Sequence, residues 1–319
     1  MLPRLLRLIP WLLTIAIFAY ILHRVPLGEV LEALQQVPLA LYLALMVPYS
    51  LAYCGIDAYV LYRVVNWFHT PVPYRRILPV RAAAYILALL NPGLGQGGVA
   101  FALNRREGIP LLEITGSLVF LTLMEFAQLA LYAAVGIFGF QPQLRAVFAP
   151  IYAVLILLGG GGVLCVRRGI DPLTLLLSWW RRWRRTEETS EEGTTSDRLR
   201  LLRTLRMAQP RHYLLTLLFK APNFVLAVLV HYLALRLFEV EAPLIALLGF
   251  LPIVFLVAAL PVTVAHLGTT QAAWLYFFAP YGEAPHILAY SLVAHVTFMV
   301  LNGLIGVCFL GVAWQTQRA

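Results

Sequence analysis

The stretch ALLNPGLGQGGVAFALNRREG, from Ala88 to Gly108, begins as an apolar helix and breaks at Asn91-Pro92-Gly93. Gly93, Gly95, Gly97 and Gly98 follow within six residues, and an apolar run then leads to Arg105-Arg106. Proline removes a backbone donor and glycine lets backbones approach closely, so the helix is interrupted here. One reading is a surface loop between two membrane helices. The other is a re-entrant hairpin, because each apolar arm falls short of the roughly 20 residues a span needs. Irregular backbone at membrane depth survives where protein or a water-filled cavity satisfies its polar groups. A break of this kind therefore marks a candidate binding site.

The surrounding composition decides the class. The chain is 61% hydrophobic and 12% charged, against about 25% charged residues in ordinary soluble domains. An all-α polytopic membrane protein is predicted. The net charge is +9, and Lys220 is the sole lysine among the basic residues. The arginines sit between apolar segments, which fits membrane topology and anionic lipid and gives no reason to expect nucleic acid. Cys54, Cys165 and Cys308 lie in apolar runs without metal-ligand spacing and read as buried small hydrophobes. No metal or cofactor is expected.

Taken in order, residues 1–37 hold a first membrane helix, retained because no small-residue cleavage site follows it, and a short outer segment. Residues 38–166 form a first repeat with a re-entrant hairpin at 77–106. If that element crossed the membrane, Arg105 and Arg106 would lie outside; if it turns back they join Arg75 and Arg76 inside, as the positive-inside rule prefers. Residues 147–166 return through a soft Gly159–Gly162 patch. Residues 167–210 form a basic cytoplasmic loop. Its LTLLLSWWRRWRR run suits an interfacial helix, its acidic middle a linker, and 198–206 a second surface helix. Residues 211–319 form a second repeat with a re-entrant hairpin at 244–279, broken around Pro261 and Ala265–Gly268. The sum is about six transmembrane helices and two broken hairpins, with both termini cytoplasmic.

The two broken segments resemble each other. Gln96 is followed by two small residues, an apolar stretch and Gly108, and Gln271 by two small residues, an apolar stretch and Gly282. Ser117-Leu118-Val119 and Ser291-Leu292-Val293 lie nine residues beyond each glycine. The units run in opposite senses, which makes an inverted-topology repeat whose hairpins meet near the bilayer midplane.

NPGLGQGGVAFALNRREG, the MEF at 124–126 and ALPVTVAHLGTTQAAWLYFFAPYG at 259–282 resemble the signature regions of the flippase-like family. This is the membrane region of lysylphosphatidylglycerol synthases, or multiple peptide resistance factors, and the resemblance covers about residues 5–315. It implies a bacterial inner-membrane protein that moves a lipid or presents its headgroup across the membrane. Some free-standing members are linked to glycolipid or hopanoid pathways. Where the family often has glutamate, this chain has Gln96 and Gln271, and the arginine that often follows the first is absent. Glu125 matches the acidic position of the family's next helix.

A lone charge at mid-bilayer costs at least about 2.5–3.5 kcal/mol, so Asp57, Arg81, Glu125 and Lys220 are expected to pair or to face a cavity. A structural pair or snorkelling is favoured for Asp57 and Arg81, and cavity lining is weighed evenly against a structural role for Glu125 and Lys220. His231, His266 and His295 are read first as hydrogen-bonded packing residues. The expected substrate-binding set is Gln96, Gln271, Glu125, Lys220, Arg81, Asn91 and His266. With Lys220 and Arg81 as its cations, the site should take an anionic phospholipid or a phosphate-linked glycolipid. No nucleophile elbow, phosphate loop or dinucleotide fingerprint is present, and the chain ends before any soluble synthase domain, so transport is expected rather than catalysis. The alternatives are a non-catalytic membrane partner that holds a lipid-synthesis enzyme through the basic loop, and an intramembrane transferase with Glu125 as base.

Overall fold

Proline and glycine punctuate this chain into helices. In the computed structural model, which describes residues 2–140, 142–168, 200–259 and 267–314, no described residue is in a strand. The helices are α1 (Leu2–Arg24), α2 (Leu27–Gln35), α3 (Leu39–Phe68), α4 (Tyr74–Leu90), α5 (Pro92–Glu107), α6 (Leu111–Phe140) and α7 (Pro142–Arg167). After the gap come α8 (Arg203–Met207), α9 (Pro210–Leu237), α10 (Leu244–Ala259), α11 (Thr269–Phe278), a 3-10 turn (Ala279–Tyr281) and α12 (Ala284–Trp314). Pro92 and Pro210 open α5 and α9, where a missing N–H costs nothing. Gly108, at φ 68°, closes α5 in the left-handed conformation that glycine adopts without strain. Five helices (α3, α6, α7, α9 and α12) contain stretches long and apolar enough to cross a membrane, and α1 with α2 makes a sixth if that pair, bent by 77°, is one span. The protein is a multi-pass, all-α membrane protein.

The break at Asn91 folds α4 and α5 into a helical hairpin. Its two open ends meet where Arg76 Nη1 lies 3.5 Å from Glu107 Oε2. Val80 and Ala84 pack with Val99, Ala100 and Leu103 along its seam. Gly95 permits the close approach: a Cβ there would stand 2.8 Å from the Ala88 Cβ and 3.2 Å from the Ala84 carbonyl oxygen. α10 and α11 also pack against each other as two arms. The Glu241 N–H donates to the Tyr281 carbonyl at 2.8 Å, and the Phe250 and Phe277 rings stack at 5.2 Å.

These contacts orient the elements. One end is rich in arginine. There the end of α3 and the start of α6 meet the open end of the first hairpin through Leu61, Val65, Ile77, Leu103 and Ile114. The start of α9 joins them, with Tyr213 against Phe120. The end of α12 arrives there too, its Ala313 carbonyl accepting from Arg106 Nη1 at 3.1 Å. The opposite end gathers Val25, Tyr42, Ile137, Phe238, Val240 and Ile287 around the open end of the second hairpin. Helix–hairpin–helix units α3–α6 and α9–α12 therefore run in opposite directions. Each hairpin's first arm packs extensively on the last helix of the other unit, α4 on α12 and α10 on α6. Glycines bring those backbones together. A Cβ on Gly306 would sit 2.9 Å from the Ala82 carbonyl, and one on Gly136 would sit 2.1 Å from the Gly249 Cα.

Some expectations are corrected by the structure, and others concern residues that it does not describe. Gly159–Gly162 does not break α7, which continues through them with leucines exposed beside them. Segment 200–207 is no surface helix: Thr204 and Leu205 are buried, and a Cβ on Gly116 of α6 would lie 2.0 Å from the Leu201 carbonyl oxygen. The docking is polar as well as close, since Arg203 pairs with Glu113 and Ser117 Oγ meets Thr204 Oγ1 at 2.7 Å. Cys308 is exposed and Cys165 half-buried, so only Cys54 is a buried hydrophobe. The tryptophan-arginine run at 179–185, the break at 260–266 and His266 lie outside the described residues.

Two predictions follow from this packing. Gly136→Ala overpacks a backbone-to-backbone contact, which costs about 1–3 kcal/mol. It should lower the melting temperature of the detergent-solubilised protein, whereas Gly160→Ala, with nothing within 4 Å, should not. The second concerns His69, in the turn after α3, whose side chain is 3% exposed and whose Nε2 meets Ser117 Oγ at 2.7 Å. Burial, helped by the Arg203 guanidinium and opposed by Glu113, lowers its pKa below 6.5. The folded state holds the ring neutral while the unfolded chain takes up a proton, so this contribution is complete above about pH 6.5 and lost as pH falls below it. Melting temperatures measured from pH 7.5 down to 5.5, on scales that bracket that value, should fall more steeply for the native protein than for His69→Gln.

Candidate functional site

Where the two units face each other they enclose a cavity of about 460 Å³. Polar side chains enter it from both units: Asp57 of α3, Gln96 of α5, Glu125 and Gln128 of α6, Lys220, Asn223 and His231 of α9, Thr270 of α11, and Ser291 and His295 of α12. Aromatic rings form much of the rest, among them Tyr49, Tyr53, Phe224, Phe255, Trp274 and Phe298. The lining follows helical spacing. Met46, Tyr49, Tyr53 and Asp57 fall on one stripe of α3, and Lys220, Asn223, Ala227 and His231 on one stripe of α9.

Two ion pairs set its electrostatics. Lys220 Nζ donates to Glu125 Oε2 at 2.9 Å, with the lysine side chain 9% exposed and the glutamate 49%. Glu125, Phe126 and Ala259 are exposed lining residues, so the cavity opens sideways past them. The second pair lies deeper. Arg81 Nε donates to Asp57 Oδ2 at 2.5 Å, and the Tyr85 hydroxyl donates to the same oxygen at 2.9 Å. Arg81 Nη1 also reaches Gln96 Oε1 at 3.4 Å, which ties the first hairpin's second arm to the pair. Each partner neutralises a charge that hydrocarbon would otherwise make costly. Around them the frame is fixed by hydrogen bonds. Gln128 Nε2 donates to the Leu217 carbonyl at 3.0 Å and so joins α6 to α9, next to the Tyr132–Phe224 stack at 4.1 Å. His231 hydrogen-bonds the Tyr290 hydroxyl.

The expected site residues divide. Gln96, Glu125 and Lys220 line the cavity, and Arg81 stands behind it, joined through Asp57 and Gln96. Gln271 does not line it. Its side chain is fully buried, and its Oε1 accepts the Gly268 N–H at 2.7 Å as a helix cap of α11. Asn91 is exposed and caps α5, its Oδ1 accepting the Gly93 N–H at 2.7 Å. Both short polar caps satisfy helix-end N–H groups that have no other partner within their helix. Gln96 is not at the tip of its hairpin but one turn into α5. Asp57, for which a structural role was favoured, lines the cavity too. Tyr49, Tyr53, Asn223, Trp274 and Ser291 were not singled out. The helical stripes through Asp57 and Lys220 carried a signal for Tyr49, Tyr53 and Asn223.

Residues 7–306 match the family described as Lysylphosphatidylglycerol synthase TM region. No curated protein and no solved structure matches the chain.

The deeper pair generates a stability prediction. Asp57→Asn leaves the Arg81 guanidinium buried without its counter-charge, a change worth about 3–5 kcal/mol. It should sharply lower the yield and melting temperature of folded protein. Adding Arg81→Met should restore part of the loss, and a double-mutant cycle on melting temperature reads the coupling.

Proposed function

The chain belongs to the lysylphosphatidylglycerol synthase membrane-region family, and on that premise we propose that it is a lipid transporter that passes a phosphate-bearing headgroup between leaflets. The observation that supports this most is the Lys220–Glu125 pair at the mouth of a polar cavity that opens sideways. A headgroup enters there while its acyl tails stay in the bilayer. Its anionic phosphate takes the place of the Glu125 carboxylate on Lys220 Nζ, a charge-assisted contact of the same kind. The half-exposed Glu125 side chain moves aside, and the buried lysine does not. The aromatic wall receives the glycerol and the first methylenes. Phospholipids and phosphate-linked glycolipids both present the required group.

Passage to the other leaflet requires the cavity to open alternately. The two crossed interfaces, α4 on α12 and α10 on α6, suit small sliding movements, because glycine leaves no side chain to interlock. By the positive-inside rule the arginine-rich end faces the cytoplasm. On this reading both termini lie inside, and the protein works in a bacterial inner membrane.

Reconstitution tests this reading. Proteoliposomes carrying lipids with a fluorescent acyl chain report translocation when a membrane-impermeant reductant quenches the outer leaflet. Lys220→Ala and Glu125→Gln should each slow translocation by about tenfold or more, the equivalent of about 1.4 kcal/mol. Their level of folded protein should fall far less. Lys220→Arg should keep part of the rate. Native rates in both neutral variants, for every lipid moved, would remove the pair from the mechanism.

A further inference from the structure

Resting on the transport reading, we infer that the headgroup is zwitterionic, with a phosphate and a primary ammonium close together, as in a phosphoethanolamine lipid. The inference comes from a charge census of the site. Among the described residues, the aspartate, glutamate, lysine and arginine side chains that line the cavity or pair with its lining are Asp57, Glu125, Lys220 and Arg81, with His231 and His295 as the histidines beside them. The first four comprise two carboxylates and two cations, and each cation already holds a carboxylate. The sequence expectation of a net anionic headgroup counted Lys220 and Arg81 as free positive charges, and neither is free.

The pairs differ in how readily they part. Asp57 is held by Arg81 and by the Tyr85 hydroxyl, and Arg81 is also bound to Gln96. Lys220 is buried on α9, whereas the Glu125 carboxylate reaches it from the mouth with half its side chain exposed. A net anion that displaced Glu125 would leave the cavity with one uncompensated negative charge, which a low-dielectric site disfavours. A zwitterion exchanges one pair for two: its phosphate meets Lys220 Nζ and its ammonium meets Glu125. The net charge stays at zero through binding and release, and no proton or counter-ion has to accompany the lipid.

The ammonium must be primary. Glu125 Oε2 accepts a hydrogen bond from the lysine ammonium at 2.9 Å. A primary ammonium brings three N–H donors of the same kind, and a trimethylated one brings none. Phosphatidylcholine therefore satisfies Lys220 but leaves Glu125 without a donor, and phosphatidylglycerol leaves it without a counter-charge. The sideways opening favours a lipid over a free solute carrying the same two groups.

The experiment compares three lipids that share one labelled acyl chain, in vesicles of phosphatidylcholine. Native protein should translocate labelled phosphatidylethanolamine about tenfold faster than labelled phosphatidylglycerol or phosphatidylcholine. Glu125→Gln gives the cavity a net positive charge and should reverse the preference towards phosphatidylglycerol. In parallel, short-chain forms of the same lipids are added to the solubilised protein and their effect on its melting temperature is measured. Phosphatidylethanolamine should raise it most in the native protein, and phosphatidylglycerol most in Glu125→Gln. A native preference for phosphatidylglycerol in both measurements, or a preference unaltered by Glu125→Gln, would overturn the inference while transport stands. Movement of no lipid above protein-free vesicles would remove the transport reading, and the melting shifts would still decide the headgroup. Water-soluble phosphoethanolamine that stabilises the protein as well as the short-chain lipid does would assign the site to a solute instead.

Discussion

Two carboxylates and two cations gather at one cavity inside an apolar bundle, and their mutual neutralisation is the condition on which the rest of the structure depends. Each ionised group alone is costly in hydrocarbon. Paired across helices, they become cross-links: Asp57 and Arg81 hold α3 to α4, and Lys220 and Glu125 hold α9 to α6. Both pairs sit beside the same cavity, so the groups that stabilise the bundle also define its polar site. The deeper pair is tied by further hydrogen bonds and, among the described residues, the outer one is not, a division that suits a structural role for the first and an exchangeable one for the second.

The bundle around these charges is held by close backbone approach. In a membrane, lipid competes with protein for apolar surface, so helix association rests on packing and on small residues. Gly136 against Gly249 and Gly306 against the Ala82 carbonyl are such contacts. They lie at the two places where a hairpin of one unit meets the last helix of the other. The opposed direction of the units, visible in which ends meet, places the polar stripes of α3, α6, α9 and α12 around one cavity. The same arrangement leaves smooth seams along which the halves can shift.

Much of this was legible before folding. Hydropathy set the class, because apolar runs of this length are stable only as buried or membrane-spanning helices. Asn91-Pro92-Gly93 located the first break, since the local chemistry of proline and glycine acts without tertiary help. The matched spacings after Gln96 and Gln271, and the signature stretches around them, pointed to the repeat and the family. The four membrane charges were visible by their rarity. The position of Asp57 and Arg81 on neighbouring elements already favoured a pair, but the sequence by itself did not determine the partners of Glu125 and Lys220. Asp57 and Arg81 are 24 residues apart, and Lys220 and Glu125 are 95 apart. Only the packing of α3 on α4 within one unit, and of α6 on α9 between the two, decides which cation meets which carboxylate. Tertiary structure also decided that Asn91 and Gln271 serve as helix caps and do not line the cavity. A polar side chain near a helix start bonds whichever unpaired donor the backbone presents, and that donor exists only once the hairpin has turned.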